Sequence, residues 1–261
     1  MMMRNIILSF GLLATTCLSA QASVSAWTET PGGRVRVIIE DKAADDGAIR
    51  GALQIDLAPG WKTYWRNPGS AGVPPQITLE GGANAHIAFP APVRFGEDDD
   101  GIGYKMPVSL PITFRLDPDA SRLKGNVFLG VCEKICIPVQ ADFDFPVEKS
   151  DQSASPQQLA ARTIIETAFD RLPQPASPDF GVSKVEREGD KAIFKLALPD
   201  PQKPAQLFVA SDSLSLSAPV VSPAQNAPEF VVTLHGKTRD GLVDYTIVQD
   251  GKAVCGHVNI D

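Results

Sequence analysis

The sequence is poor in cysteine, histidine and basic residues, and these shortages exclude several classes of function. It contains 4 cysteines and 3 histidines among 261 residues. Its 24 lysines and arginines are outnumbered by 31 aspartates and glutamates, so the formal net charge is −7. A surface of that sign does not favour nucleic acid as a partner. The histidines are scattered and no G-x-S-x-G segment occurs, which excludes the common hydrolase signatures.

Long apolar runs are also rare, and the longest lies at the start of the chain. Residues 1–22 combine a positive charge at Arg4, an apolar run over 6–14 and a small-x-small motif that ends at Ala22. This pattern predicts a secretory signal that is cleaved after Ala22. Cys17 leaves a lipoprotein signal open, although the three residues before it fit such a site poorly. No later segment approaches the ~18 apolar residues of a membrane helix, so we expect an exported protein that does not itself span the membrane.

Short apolar or alternating runs separated by Gly and Pro turns occupy 23–150 and return over 179–261. Many short strands with frequent turns are typical of β-sandwiches. About 240 residues exceed the usual size of one domain, so we expect an all-β protein with a sandwich and a second, smaller β domain. The turn signal at 249–252 predicts a terminal hairpin. The second domain carries no motif with evident chemistry, so a binding or stabilising role is its simplest interpretation.

The segment 151–178 between these domains differs in composition and lacks the alternating pattern of a strand. Ser155 fits a helix N-cap with Pro156 at the first helical position, and the following PQPASP is typical of a linker. The residues that we expect along the apolar side of this helix are Leu159, Thr163, Ile164, Phe169 and Leu172. The sequence therefore predicts one helix and a proline-rich linker between two β domains.

The cysteine pair in VFLGVCEKICIP raises a geometric question, because Cys132 and Cys136 are only four residues apart. A disulfide needs Cα atoms roughly 4.4 to 6.8 Å apart, whereas a straight strand separates these positions by ~13 Å. A hairpin with its turn at 133–135 brings them to ~4.5 to 5.5 Å. The β-rich flanks and Pro138 favour this hairpin over a helical turn. A disulfide between the two cysteines is therefore geometrically feasible.

The shortness of this ring bears on its role. Closing so few residues removes little entropy from the unfolded chain, so the stabilising value of the bond is low. Tight, exposed disulfides are more easily reduced. Redox activity is therefore favoured over a structural role. A metal site is least favoured, because zinc sites usually have four ligands and His86 and Met106 lie far from the cysteines in sequence.

Three segments occur in an order and spacing that are specific when taken together: WKTYWRNPGSAGVPP, LPITF and GVCEKICIPV. Together they resemble the amino-terminal periplasmic domain of the DsbD family of thiol:disulfide interchange proteins, and more closely its ScsB-type branch. The resemblance covers about Trp27 to Lys149 and extends more weakly through the second β domain. It implies an immunoglobulin-like β-sandwich whose two cysteines, matched here by Cys132 and Cys136, cycle between dithiol and disulfide.

The resemblance also implies partners and a shield for the cysteines. Electrons arrive from a membrane-embedded thiol reductase and pass to periplasmic thioredoxin-like or isomerase clients, and no cofactor is expected. A short cap loop with an aromatic residue shields the pair. The matching segment EDDDGIGYKMP makes Tyr104 the candidate cap, with Ile102 as the second choice.

Two departures from the family matter. Family members usually continue into a multi-helix membrane domain and a thioredoxin-like domain, and this sequence shows neither, so we expect its electron donor to be a separate protein. The three residues between the cysteines also differ from the spacing of the best-known members, so the family's redox properties do not transfer.

Other noticeable residues have simpler interpretations. Trp61 and Trp65 are expected on one strand face and Tyr64 on the other, in a core or an interface rather than in a ligand site. The acidic run 97–100 lacks the spacing of an EF-hand loop and is typical of a solvated loop beside the cap, where it would steer a basic partner.

Cys255 and His257 alternate onto one face of the last strand, but two ligands are too few for zinc, which favours a buried or incidental thiol. One alternative function stays open at this stage. It is a non-catalytic periplasmic binding or copper-tolerance module, in which Cys132 and Cys136 are structural or bind Cu(I).

Overall fold

The structure is a computed structural model that describes residues 23–40, 43–44, 46–69, 72–81, 83–96, 99–117, 120–147, 155–222, 229–235 and 241–260. The predicted signal at 1–22, with Cys17, lies outside the described residues, as do Glu97 and Asp98 of the acidic run. Within the described part of the chain, no helix is both long enough and apolar enough to cross a bilayer.

The first half of the chain folds into two facing antiparallel sheets, here called the N-terminal sandwich. Its strands are β1 (Thr28–Thr30), β2 (Gly33–Ile39), β3 (Ala48–Leu57), β4 (Lys62–Gly69), β5 (Gln76–Leu79), β6 (Asn84–Ile87), β7 (Val93–Phe95), β8 (Gly101–Tyr104), β9 (Val108–Arg115), β10 (Arg122–Cys132) and β11 (Cys136–Pro146). One sheet has the order β1-β2-β3-β9-β6. The other has the order β11-β10-β4-β8-β7, and β5 also pairs with β10.

A single helix of the described chain, α1 (Pro156–Asp170), follows the N-terminal sandwich. Ser155 caps it as predicted: its side chain accepts from the Gln158 backbone N–H, and the Gln158 side chain accepts from the Ser155 backbone N–H. The buried face of α1 differs from the prediction, because Leu159 is 53% exposed. The fully buried residues that pack on Ile38 and Ala52 of the first sheet are Ala161, Ile165 and Ala168, while Ile164 and Phe169 of the predicted stripe pack beside them partly buried. Small alanines allow the helix backbone to approach the sheet closely, and a stripe chosen by side-chain size misses them.

The last part of the chain forms a second pair of sheets, here called the C-terminal β domain. Its strands are β12 (Gln174–Pro175), β13 (Gly181–Glu188), β14 (Lys191–Ala197), β15 (Gln206–Ala210), β16 (Ser215–Leu216), β17 (Val220–Val221), β18 (Glu229–His235), β19 (Leu242–Gln249) and β20 (Lys252–Asn259). One sheet has the order β12-β20-β19-β15, and the other β13-β14-β18-β16 with β17 also on β18. The predicted terminal hairpin is confirmed: Gln249 pairs with Lys252, and Asp250 and Gly251 both adopt positive φ.

Two apolar cores correspond to the two pairs of sheets. The N-terminal core gathers inward residues of both sheets, including Leu53, Trp65 and Phe114. The C-terminal core is separate and is built around residues such as Phe194 of β14. The separation is incomplete at β15, because Phe208 and Ala210 of this strand belong to the N-terminal core. The C-terminal β domain therefore completes the core of the N-terminal sandwich. This all-β architecture confirms the predicted fold class.

Candidate functional site

The two cysteines of the N-terminal sandwich lie at the end of a long hairpin. Strands β10 and β11 pair without interruption from Arg122 opposite Pro146 to Cys132 opposite Cys136. The Cα atoms of the cysteines are 4.1 Å apart, and their sulfurs form a disulfide. The hairpin predicted from the four-residue spacing is therefore present, with 133–135 as its turn. The regular pairing of both strands fixes where the two sulfurs meet.

The two cysteines differ sharply in exposure. Cys132 is only 2% exposed, whereas Cys136 is exposed. The alternation of β10 places Val131 in the core and Cys132 on the outer face of the sheet, where neighbouring side chains cover it. Cys136 begins β11 beside the open turn. A molecule that approaches from solvent therefore meets the Cys136 sulfur, while the Cys132 sulfur faces the protein.

Two aromatic rings cover the disulfide from the outer face. Tyr64 and Phe95 form a buried cluster with Cys132, and their ring centroids are 5.7 Å apart. Tyr64 Oη lies 3.5 Å from Cys136 Sγ. A disulfide sulfur carries no proton, so the phenol is the donor. Burial, and to a smaller degree Asp100, raise the pKa of Tyr64, so this donor keeps its proton at neutral pH.

Strand β8 has glycines on its outer face, where Gly101 makes room for the Phe95 ring and Gly103 allows the β4 backbone to approach closely. A Cβ added to Gly101 would lie 2.3 Å from Phe95 Cε2, and one added to Gly103 would lie 2.7 Å from the Tyr64 Cα atom. The Phe95 ring therefore crosses β8 where no side chain stands. Lys62, opposite Cys132 on β4, brings its ammonium to 5.2 Å from the Phe95 ring centroid. This places a positive charge on the covered side of the disulfide.

The predicted cap residues occupy the opposite face of the same strand. Ile102 is fully buried and Tyr104 is 7% exposed, and both belong to the N-terminal core. Tyr104 Oη donates to Pro90 O at 2.8 Å. Alternate residues of a strand share a face, so Ile102 and Tyr104 turn inward together while the glycines face outward. In this structure the cover over the disulfide consists instead of Tyr64 and Phe95.

Sequence reasoning missed Tyr64 and Phe95 as site residues. The alternation in WKTYW does place Tyr64 on the face opposite Trp61 and Trp65, and Trp65 indeed lies in the core at 2% exposure. Its proximity to Cys136 depends on β4 pairing with β10, which joins residues far apart in the chain. The residues next to Tyr64 in the sequence do not indicate which strand β4 pairs with, so this contact could not be predicted from one sequence.

The buried phenol of Tyr104 leads to a prediction about alkaline stability. Burial raises its pKa well above the ordinary value of about 10. Between the ordinary tyrosine pKa of about 10 and the raised pKa of the folded protein, the unfolded chain releases the Tyr104 proton while the folded chain keeps it. The free energy of unfolding therefore falls as pH rises through this range. We expect urea unfolding to show a steeper loss of stability above pH 10 in the natural protein than in Tyr104→Phe. Equal slopes in the two proteins would contradict this assignment. Part of the slope remains in the variant because Tyr64 also has a raised pKa.

Cys255 lies away from the disulfide, in a cleft between the two halves of the chain. Its thiol donates to Pro173 O at 3.5 Å, and burial raises its pKa. The cleft, of about 330 Å³, is also lined by His86 and His257. Across the described residues, no group of three or more His, Cys, Asp or Glu side chains is arranged to hold a metal ion. Cys255 is thus a half-buried thiol with a neighbouring carbonyl partner.

The fold and the site together define a class of protein: a β-sandwich with a disulfide at the end of a hairpin, one sulfur exposed and the other covered. Residues 34–148 match the family model described as "Thiol:disulfide interchange protein DsbD, N-terminal". This confirms the family resemblance for residues 34–148, which are similar to a DsbD N-terminal domain. The chain therefore contains a module of the thiol:disulfide interchange type.

A solved structure extends the likeness in fold beyond this domain. The N-terminal periplasmic domain of ScsB from Proteus mirabilis superposes with a TM-score of 0.72 at 19% sequence identity, covering 92% of this chain and 98% of that one. Domains 5-6 of the S-layer protein SbsC match at 10% identity over 86% of this chain and 97% of that one, with a TM-score of 0.24 that carries no argument. No curated protein matches this chain.

Proposed function

We propose that this protein is a periplasmic thiol:disulfide interchange protein that relays electrons through Cys132 and Cys136. Its donor is a membrane-embedded thiol reductase, and its acceptors are periplasmic thioredoxin-like or isomerase clients. The observation that carries the proposal is the asymmetry of the pair, with Cys136 exposed and Cys132 at 2% exposure under two aromatic rings. The DsbD N-terminal family match over residues 34–148 supports the same reading. The predicted signal at 1–22 supports export.

The exposed sulfur determines the order of the exchange steps. A donor thiolate attacks Cys136 Sγ, the Cys132–Cys136 bond breaks, and Cys132 leaves as a thiolate. The second thiol of the donor then releases Cys136, which leaves two thiols here and a disulfide in the donor. In the second half-reaction Cys136 attacks a client disulfide. Cys132 then attacks Cys136 Sγ, which restores the disulfide and releases the reduced client.

The covered side of the pair supports the thiolates that these steps create. Tyr64 Oη lies within hydrogen-bonding distance of Cys136 Sγ and would donate to a thiolate there. Lys62, paired with Cys132, supplies a nearby positive charge for the leaving sulfur. Both groups favour the charged sulfur over the neutral thiol. We therefore assign them a role in stabilising the thiolates rather than in forming bonds.

Apolar side chains at the open end of the site suit a protein partner. Ile135, in the turn between the cysteines, is 72% exposed, and Met106 is exposed to the same degree. Met106 is two residues after Tyr104, and Tyr104 pairs with Thr63 of β4. Thr63 is next to Lys62, which pairs with Cys132, so Met106 lies near the cysteine end of the sheet. Contiguous exposed apolar patches mark interaction surfaces, and the proposal takes Ile135 and Met106 as parts of such a surface. These side chains provide the contact area for a donor or client whose own disulfide reaches Cys136.

The reduction potential of the Cys132–Cys136 disulfide tests this function. We expect equilibration in glutathione buffers to give a reduction potential above about −300 mV, because an exposed sulfur in a small ring makes a labile bond. The Cys132–Cys136 state is measured by mass after alkylation, in a Cys255→Ser background so that only the pair is counted. A potential below about −300 mV would identify a structural bond and overturn the proposal.

A further inference from the structure

The strand that carries Phe95 is weakly held by its own sheet. Strand β7 spans only Val93–Phe95 and, among the described strands, pairs only with β8. Short edge segments with few ladder hydrogen bonds open at low free-energy cost. Its pairing alone is therefore a poor anchor for a ring that must stay over the disulfide. The structure supplies a second anchor from outside the N-terminal sandwich.

That anchor is Arg94, the residue next to Phe95. Its Nη2 atom donates to Leu207 O at 3.3 Å and to Pro219 O at 3.1 Å, both in the C-terminal β domain. Its guanidinium carbon lies 5.4 Å from the centroid of the Phe208 ring. Neighbouring residues of a strand point to opposite faces, so the same short strand presents Phe95 to the disulfide and Arg94 to the C-terminal β domain.

Strand β4, which carries Tyr64, is attached to the C-terminal β domain in the same way. Asn67 Nδ2 donates to Val209 O at 2.8 Å. Arg66 and Asp244 form an ion pair at 2.7 Å. Both members of the aromatic cover are therefore within three residues of a polar contact to the other half of the chain. Two of the three carbonyl acceptors, Leu207 O and Val209 O, belong to β15, whose Phe208 also completes the N-terminal core.

We infer that the C-terminal β domain acts as a clamp on the redox site and that Arg94 is a positioning residue, holding β7 so that Phe95 stays over the Cys132–Cys136 pair. The inference rests on the proposed function for its biological meaning, since it describes how access to that pair is controlled. Arg94 touches neither sulfur and acts through Phe95. Removing its carbonyl contacts loosens the cover while the disulfide itself is unchanged.

The test measures how fast a small reagent reaches the covered sulfur of Cys132, which is 2% exposed. With Cys136→Ser and Cys255→Ser in the full chain, Cys132 is the remaining thiol of residues 23–261, and its thiolate displaces iodide from iodoacetamide without any protein partner. We expect Arg94→Met in the full chain to raise this second-order rate about tenfold, because hydrogen bonds of a charged donor are lost from a strand that opens easily. Phe95→Ala removes the ring directly and should raise the rate at least as much. Arg94→Lys, which keeps the charge and part of the donor set, should restore most of the protection.

Two further variants separate positioning from general loosening. Arg122→Met removes the ion pair between Arg122 of β10 and Asp144 of β11 in the same sheet, and it should leave the rate unchanged. Arg94→Met added to Phe95→Ala should give no further increase, because the two changes act through one ring. An unchanged rate in Arg94→Met, or an equal increase on top of Phe95→Ala, would overturn the inference. Failure of the proposed function would appear differently, as a potential below about −300 mV with the variant rates still ordered as above.

Discussion

Replacing each cysteine by serine is expected to give opposite results in trapping experiments, although both variants lose turnover completely. In Cys132→Ser the exposed Cys136 still attacks a partner disulfide, and no second thiol remains to resolve the mixed disulfide. In Cys136→Ser the remaining thiol is 2% exposed beneath Tyr64 and Phe95, so it captures nothing. Covalent adducts with an oxidised thioredoxin-like protein, separated on a non-reducing gel, report the difference.

The control for this experiment is the third thiol. Cys255→Ser alone should exchange as the natural protein does, because Cys255 is half-buried with a raised pKa and bonds to Pro173 O. Both serine variants are therefore compared in the Cys255→Ser background. Adducts that form with Cys136→Ser and not with Cys132→Ser would reverse the assigned order of attack.

The largest expected loss of stability comes from Trp65→Ala. Trp65 is 2% exposed and packs edge-on against Phe89 at 6.4 Å and against Phe208 at 6.2 Å between ring centroids. It thus joins the N-terminal core to strand β15 of the C-terminal β domain. Truncating a buried tryptophan removes apolar contacts and leaves a cavity, so we expect the free energy of unfolding to fall by about 3 to 5 kcal/mol in urea titrations.

Two matched variants sharpen this result. Trp65 Nε1 has no hydrogen-bond partner among the described residues, so Trp65→Phe loses volume but no hydrogen bond and should cost clearly less than alanine. Trp27→Ala removes a half-buried ring that lies against the guanidinium groups of Arg34 and Arg36. Such contacts contribute about 0.5 to 1 kcal/mol each at exposed sites. Equal losses in Trp65→Ala and Trp27→Ala would contradict the assignment of Trp65 as the bridging residue.

The sequence was sufficient for features that depend on local geometry. The four-residue spacing of Cys132 and Cys136 admits a disulfide in a hairpin and excludes one in a straight strand, and the hairpin is present. The cap of α1 at Ser155 and the turn at 249–252 were predicted equally well, because each follows from the conformational preference of a few adjacent residues.

Features that depend on long-range pairing were not predictable in the same way. Tyr104 was a reasonable cap from its position in the chain, but the face it occupies is decided by how β8 lies between β4 and β7. The same applies to Tyr64, which reaches the cysteines only once β4 pairs with β10, and to Phe95, which reaches them only once β7, β8, β4 and β10 are aligned. The contribution of Phe208 to the N-terminal core has no local signature at all.

The uninterrupted pairing of β10 with β11 has a consequence for the energetics of the proposed redox cycle. The register from Arg122 opposite Pro146 to the last pair is held by backbone hydrogen bonds and buried side chains, not by the sulfur link at its end. Breaking a bond that closes so few residues frees little chain entropy. In the proposed relay, the protein therefore gains and loses two electrons without rebuilding its architecture. The driving force of each transfer then depends on the chemistry of the sulfurs and of the molecule that docks against them.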